Sequence, residues 1–192
     1  MRRAPLVLLA VAGAMLGFTL EPLVGRLVTL SFGGAVHVWT VCVLVFQAVL
    51  LAAYAWAHFV ARPWPLVHAA MAVLTLVALP LGVSATPDPS GALLPIAAAV
   101  LLGAGAPFFV TASAAVVASA WWDDDSPPWF LYATSNAGSL VGLLAYPLLV
   151  EPLVGLHAQR LAWSGLYAAF VGLVALTAWR ARARPVEPVP AP

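Results

Sequence analysis

Residues 129–156 have the sequence WFLYATSNAGSLVGLLAYPLLVEPLVGL, and this stretch decides the class of fold. It carries no formal charge between positions 129 and 150. At a rise of 1.5 Å per residue, a helix over these positions is long enough to cross a hydrocarbon core about 30 Å thick. Glu151 and Pro152 then supply a carboxylate and a helix breaker where the chain would leave the bilayer. The stretch therefore predicts a transmembrane helix.

The small and polar residues of this stretch recur at helical spacing and fall on one side of the predicted helix. They are Ser135, Gly138, Ser139, Gly142 and Tyr146. Leucine and valine side chains fill most of the opposite side. In lipid, small residues let a second helix approach closely, and hydroxyl groups form hydrogen bonds across the contact. The pattern predicts one face that packs against protein and another that faces lipid.

The composition is that of a membrane protein. Hydrophobic residues make up 64% of the 192-residue chain and charged residues only 8%, whereas a soluble domain carries about 25% charged residues. We therefore expect the lipid bilayer to be its main partner. A net charge of +1 excludes an extended basic surface for nucleic acid. The single cysteine, Cys42, excludes a disulfide within the chain and a metal site built on several thiolates, and we predict no metal and no cofactor.

Six apolar segments separated by turn-forming residues predict an all-α protein, a polytopic six-helix transmembrane bundle over residues 1–180. Helices are predicted over residues 4–20, 36–60, 66–83, 93–121, 129–150 and 157–179. Glycines before Pro107 predict a bend in the fourth helix at 103–107. The N-terminus has features of a signal peptide, but its apolar run continues to Leu20, which favours a retained first helix. The Pro-rich residues 181–192 predict a disordered cytoplasmic tail.

An even number of spans places both ends of the chain on one side of the membrane. Six of the eight basic residues share that side, namely Arg2, Arg3, Arg62, Arg180, Arg182 and Arg184. Only Arg26 and Arg160 lie on the other side. Because loops rich in arginine and lysine stay in the cytoplasm, both termini are predicted to be cytoplasmic.

A short repeat carries most of the remaining charge. Glu-Pro-Leu-Val-Gly begins at Glu21 and again at Glu151, and each copy is followed by an arginine, Arg26 or Arg160. Both copies are predicted at the outer ends of helices, so the four charged side chains are expected to meet there. A carboxylate within the membrane costs about 2.5–3.5 kcal/mol and usually faces a partner or a cavity. Ion pairing that fixes the ends of the first and fifth helices is one interpretation, and a proton- or cation-coupled site is the other.

Other polar residues leave alternatives open. Asn136 and Gln47 lie inside predicted spans, where amides form hydrogen bonds between helices, and Asn136 is also a candidate for ligand binding. The acidic run at 123–125 favours a solvated loop over a divalent-cation site, because consecutive carboxylates point in different directions. The sequence has no catalytic triad pattern and no glycine-rich phosphate loop.

The four histidines fall into two pairs by predicted depth. His37 and His157 lie near the outer ends of helices, and His58 and His68 flank the inner turn. Pairs of this kind can ligate a haem between two helices. Histidine is also common at helix ends near the membrane surface, so a haem-binding subunit is the weaker interpretation.

Several segments resemble the membrane domain of the bacterial fused major-facilitator/spermidine synthase family. These are residues 31–40 (SFGGAVHVWT), 46–58 (FQAVLLAAYAWAH), 106–110 (APFFV), 130–140 (FLYATSNAGSL) and 146–152 (YPLLVEP). The resemblance extends over roughly residues 1–180. It implies a multi-pass location in the bacterial inner membrane.

In that family, a soluble synthase domain follows the membrane domain, and this sequence contains no glycine-rich strand and no acidic pair for such chemistry. The resemblance therefore implies that the chain is not itself an enzyme. We expect an anchor or binding subunit for a separately encoded synthase-like partner on the cytoplasmic face. The alternative is a small-solute carrier, for a polyamine or another cation, that works as a homodimer.

Overall fold

The computed structural model describes residues 3–83, 93–122 and 129–182. Every regular element in these ranges is helical, which confirms the prediction of an all-α protein. The helices are α1 (Arg3–Phe32), α2 (Val36–Ala61), α3 (Pro65–Ala78), α4 (Leu93–Ala120), α5 (Trp129–Leu153) and α6 (Leu156–Ala181). The predicted turn at 86–91, the acidic run at 123–125 and nearly all of the Pro-rich tail lie outside the described residues.

Five of these helices, all except α3, are long and apolar enough to cross a bilayer, with 25 to 30 residues each. They indicate a multi-pass membrane protein. The third helix, α3, has ten residues of α-helix followed by four of 3-10 helix. Its length is about 23 Å, which is less than the thickness of a hydrocarbon core of about 30 Å.

The central helix of the bundle is α1, which packs against α4, α5 and α6. Its approach to α5 is very close, because a Cβ atom added to Gly138 or Gly142 would lie 2.8 Å from a carbonyl oxygen of α1. The indole Nε1 of Trp163 in α6 donates a hydrogen bond to the Leu16 carbonyl oxygen at 3.1 Å. Phe170, two turns further along α6, lies beside Gly13. The order of these contacts shows that α1 and α6 run antiparallel.

The helix ends can be assigned to two ends of the bundle. The indole Nε1 of Trp121, just after α4, donates a hydrogen bond to the carbonyl oxygen of Ala61 at the end of α2, at 3.1 Å. The guanidinium of Arg3 lies 5.7 Å from the ring centre of Trp122. The start of α1 and the ends of α2 and α4 therefore lie together, and the end of α6 joins them because α6 is antiparallel to α1. We call this the basic end, since it holds Arg3, Arg62, Arg180 and Arg182.

The first helix does not stop near Leu20 as predicted. Instead, α1 continues through Glu21 and Pro22. A proline removes one backbone hydrogen bond and crowds the preceding turn, but a transmembrane helix tolerates this where other helices pack around it. Leu20 and Leu23, which flank Glu21 and Pro22, are almost fully buried by such packing.

The third helix is shorter than predicted. The sequence pattern predicts a helix as far as Val83, but α3 ends at Ala78. Pro80 has no N–H to continue the helical bonding, and it disfavours the helical conformation of the residue before it. Residues 79–83 are non-helical, and the Leu79 N–H donates to the Leu76 carbonyl oxygen at 3.1 Å.

Prolines within α4 and α5 are accommodated by π-helical turns. The turn Leu101–Gly105 precedes Pro107 in α4, and the turn Tyr146–Val150 contains Pro147 in α5. A π turn inserts one residue into the helix and adjusts the bonding near the proline. The interruption predicted at 103–107 is therefore absorbed within a continuous helix.

Candidate functional site

The chain after α3 forms a non-helical segment, residues 79–83, within which the Leu81 side chain is fully buried. The Nε atom of Arg160 in α6 donates a hydrogen bond to the Leu81 carbonyl oxygen at 2.6 Å. The Leu81 N–H donates to the Oγ atom of Ser164 at 2.9 Å. Two side chains of α6 therefore satisfy backbone groups that a continued helix would have bonded itself.

The fourth helix contacts the same segment through Gly103, which lies in its π turn. A Cβ atom added to Gly103 would lie 2.5 Å from the carbonyl oxygen of Gly82 and 3.2 Å from the Cα atom of Val83. Glycine has no Cβ, so the two backbones can touch at this point. The 79–83 segment is therefore held by side chains of α6 and by the backbone of α4.

This segment lies near the middle of the bundle along its length. Ser164 follows Trp163, whose indole is bonded to Leu16, and Leu16 is close to the midpoint of α1. Non-helical backbone at membrane depth is tolerated only where protein buries it or where it lines a water-filled cavity. In many transporters, non-helical backbone at this depth lines the binding site.

The last turn of α3 is tied to α6 by a short hydrogen bond between the hydroxyls of Thr75 and Tyr167. The Thr75 hydroxyl donates to the Ala72 carbonyl oxygen at 2.6 Å, so Tyr167 is the donor to Thr75. The Tyr167 ring stacks on Trp163 with a centroid separation of 5.1 Å. None of Thr75, Ser164 and Tyr167 is among the residues predicted from the sequence. The spacing of three residues between Ser164 and Tyr167, which puts two hydroxyls on one face of α6, is the signal that could have found them.

The predicted charged cluster is only partly assembled. Arg26 Nη1 lies 3.5 Å from Glu151 Oε1 and joins α1 to α5 near the end opposite to the basic end. The two side chains are 39% and 48% exposed, and ion pairs this exposed stabilise a protein by about 0–1 kcal/mol. Arg160 is not part of this pair, because its Nε bonds to Leu81.

A buried tyrosine extends the cluster toward α6. The Tyr146 hydroxyl donates to Gln159 Oε1 at 2.9 Å. Gln159 Nε2 donates in turn to the carbonyl oxygens of Val154 at 2.6 Å and of Val150 at 3.4 Å, at the end of α5. Gln159, which is also absent from the residues predicted from the sequence, therefore caps α5 with its amide and fixes the turn into α6.

Glu21 is partly buried in the middle third of α1 and forms no ion pair or hydrogen bond with any residue that the structure describes. It lies one helical turn from Gly17 and one from Gly25. Gly17 lies beside Phe108 of α4, and Gly25 lies beside Trp39 of α2. The carboxylate therefore belongs to the side of α1 that faces α2 and α4.

The small-residue stripe of α5 lies against α1. Ser135 and Tyr146 are buried, and added Cβ atoms on Gly138 and Gly142 would meet the backbone of α1. The Ser139 hydroxyl donates to the Ser135 carbonyl oxygen within α5 at 3.1 Å. Asn136 is exposed on the other side of α5, and it has no hydrogen bond within the described part of the chain.

The histidines do not assemble into a ligand set. His68 is buried, and its Nδ1 accepts a hydrogen bond from the indole of Trp56 at 3.1 Å. His37, His58 and His157 are exposed. No group of three or more His, Cys, Asp or Glu side chains that could hold a metal occurs among the described residues.

The chain was compared with protein-family models, curated proteins and solved structures, and nothing matches it in any of the three comparisons.

Proposed function

We propose that this chain is a membrane-embedded binding module of the bacterial inner membrane that anchors a separately encoded synthase-like protein. The proposal rests on the resemblance to the membrane half of the fused major-facilitator/spermidine synthase proteins. It needs a rigid membrane part and a surface for the partner, and the geometry of the bundle supports both.

The observation that carries the proposal is that Arg160 has a structural role, because its side chain is bonded within the bundle. An arginine inside a transmembrane bundle is a candidate for substrate binding, but this guanidinium is bonded to the backbone of Leu81. Ser164 and Tyr167 bond to the same region of the chain. These groups hold the bundle in one arrangement, as a scaffold for another protein requires.

The basic end supplies the proposed docking surface. Arg62, Arg180 and Arg182 are all exposed there, and Arg182 lies 4.5 Å from the ring centre of Trp179, which is itself exposed. Arginine and tryptophan are the residues that most often dominate binding surfaces. By the positive-inside rule this end faces the cytoplasm, together with both termini.

The proposed orientation requires the chain to cross the membrane between α2 and α4. The second helix ends at the basic end, and α4 begins at the opposite end because its own end lies beside Ala61. We propose that α3 and the 79–83 segment belong to this crossing. The protein then has six crossings, one of which is not a continuous helix.

The experiment is recovery of the partner from the native membrane. A tagged full-length chain, purified in mild detergent, should bring down a soluble synthase-like protein. Arg62→Gln, Arg180→Gln and Arg182→Gln combined should reduce that recovery severalfold, whereas His37→Gln with His157→Gln, at exposed positions of the opposite end, should not. Recovery of the chain alone, or equal loss in both sets of variants, contradicts the proposal.

A solute carrier is the second candidate, and one observation favours it. Glu21 is a carboxylate at membrane depth with no partner among the described residues, and it lies on the side of α1 that faces α4, whose π turn contacts the non-helical 79–83 segment. Discontinuous helices and unpaired carboxylates are the parts from which cation sites in transporters are built. Uptake of a polyamine or monovalent cation into proteoliposomes, abolished by Glu21→Gln but not by Glu151→Gln, supports this candidate. Absence of uptake by the unmodified protein excludes it for the cations tested.

A further inference from the structure

The outward face of α2 carries a row of polar side chains. The opposite face of α2 is buried in the bundle by Val38, Val41, Cys42, Phe46, Val49 and Ala53. After the first turn of α2, the exposed polar positions are Thr40, Gln47, Tyr54 and His58, at successive intervals of seven, seven and four residues. These intervals place all four on one side of the helix.

Gln47 is the one residue of this row whose polar group is unfavourable in contact with lipid. The Thr40 hydroxyl is satisfied within the helix, since it donates to the Val36 carbonyl oxygen at 3.0 Å. Tyr54 and His58 lie in the last turns of α2, near the depth where amphipathic rings meet the membrane surface. Gln47 instead lies close to the midpoint of α2.

The depth of Gln47 is set by its neighbour. Phe46 packs edge-to-face against Phe108 with centroids 4.8 Å apart, and Phe108 lies beside Gly17 at the middle of α1. The Gln47 amide forms no hydrogen bond with any described residue. A primary amide without a partner is unfavourable in hydrocarbon. Its partner must therefore lie outside the described residues that pack around α2.

We infer that a second copy of this chain covers this face, with the two α2 helices side by side and the two Gln47 amides hydrogen-bonded to each other. An amide carries both donors and an acceptor, so the group is complementary to itself across a two-fold axis. Copies inserted with the same orientation are parallel, and their Gln47 residues then lie at the same depth. A second copy always presents an amide at the same depth, because it has the same α2 sequence. No other partner is required by the sequence to do so.

The residues around Gln47 fit such a contact. Leu44, Gln47 and Leu51 have the three- and four-residue spacing of a parallel two-stranded helix pair, in which one polar core position fixes register and stoichiometry. Ala48 and Ala55 lie beside this row and are exposed. Small residues next to the contact let two transmembrane helices approach closely. A dimer of this kind is independent of the proposed anchoring function, because it requires no synthase-like partner.

Self-association of the full-length chain in lipid vesicles tests the inference. Energy transfer between donor- and acceptor-labelled copies, followed as lipid is added, should show a dimer for the unmodified protein. Gln47→Leu should weaken association by about tenfold, the effect of one interhelical hydrogen bond in lipid. Leu140→Ala changes an exposed apolar side chain of α5 instead and should leave association unchanged. A protein that stays monomeric at high density, or an equal effect of the two variants, overturns the inference.

Cross-linking provides a second measurement that keeps Gln47 in place. Cys42→Ala removes the only cysteine, and single cysteines are then introduced by Leu51→Cys on the α2 face or by Leu140→Cys on the exposed face of α5. Oxidation in membranes should join two copies through position 51 and not through position 140. Cross-linking through position 140 alone, or through neither position, contradicts the assignment of this face.

Discussion

The Arg160 guanidinium donates a hydrogen bond at 2.6 Å to the carbonyl oxygen of Leu81, which lies near the middle of the bundle and outside any helix. This contact links the non-helical segment after α3 to the N-terminal half of α6. The sequence predicts Arg160 near the membrane surface, whereas in the structure its side chain joins two segments of the chain. The stability of the bundle should therefore depend on the groups that hold residues 79–83.

Replacement of Arg160 by leucine should destabilise the protein by about 2–3 kcal/mol. The change removes a hydrogen bond from a charged donor and leaves the buried Leu81 carbonyl oxygen without it. The apparent melting temperature in mild detergent is the measurement. Arg160→Lys, which keeps a donor on a shorter reach, should recover part of the loss. Equal stability of Arg160→Leu and the unmodified protein would show that the contact is dispensable.

Replacement of Gly103 by alanine should also destabilise the protein, by about 1–3 kcal/mol. The added Cβ would lie 2.5 Å from the Gly82 carbonyl oxygen, so one of two backbones must move. Gly165 and Gly172 of α6 are matched controls, since an added Cβ at either position meets nothing within 4 Å. Alanine at those positions should be neutral or stabilising by up to about 1 kcal/mol, as expected for a helix interior. The same loss at Gly103 and Gly172 would contradict the close contact with the 79–83 segment.

Replacement of Gly142 by valine should separate α5 from α1. An added Cβ already lies 2.8 Å from the Met15 carbonyl oxygen, and valine adds two further methyl groups. We expect a loss of about 3 kcal/mol or failure to assemble, because the contact involves backbone that cannot turn away. Protease resistance of the detergent-solubilised protein reports assembly, with Gly165→Val as the control. A resistant Gly142→Val protein would be at odds with the packing of α5 on α1.

The ion pair between Arg26 and Glu151 should contribute little to stability. Both side chains are partly exposed, and their closest charged atoms are 3.5 Å apart. A double-mutant cycle with Arg26→Gln and Glu151→Gln should give a coupling free energy below about 1 kcal/mol that falls further in salt. A coupling free energy above about 2 kcal/mol that does not change with salt would show that the pair is less exposed to water than it is in the structure.

The helical class, the approximate positions of the helices and the lipid-compatible composition could be predicted from hydrophobicity and breaker residues, since lipid restricts the chain to helices. The predicted ends of α1 and α3 were wrong, and both errors involve proline. Pro22 does not end α1 and Pro80 does end α3, and the difference lies in the packing around each residue. A single sequence does not contain that information.

The candidate site was predicted less completely for the same reason. Periodicity placed Gly138 and Gly142 on one face, but it did not reveal that Arg160 bonds to a backbone carbonyl instead of a carboxylate. The partners of Arg160 and Ser164 lie about 80 positions away in sequence. Such contacts depend on which helices become neighbours, and hydrophobic patterning leaves that choice open.

The most direct test of the account is the accessibility of three positions to a membrane-impermeant thiol reagent, each as a single cysteine in a Cys42→Ala background. Trp64→Cys lies in the turn at the basic end, Gly155→Cys lies in the turn between α5 and α6 at the opposite end, and Leu81→Cys lies within the bundle. The account predicts that positions 64 and 155 react only from opposite sides of the membrane and that position 81 reacts from neither. Reaction of positions 64 and 155 from the same side, or free reaction of position 81, would contradict a membrane-spanning bundle with a buried non-helical segment after its third helix.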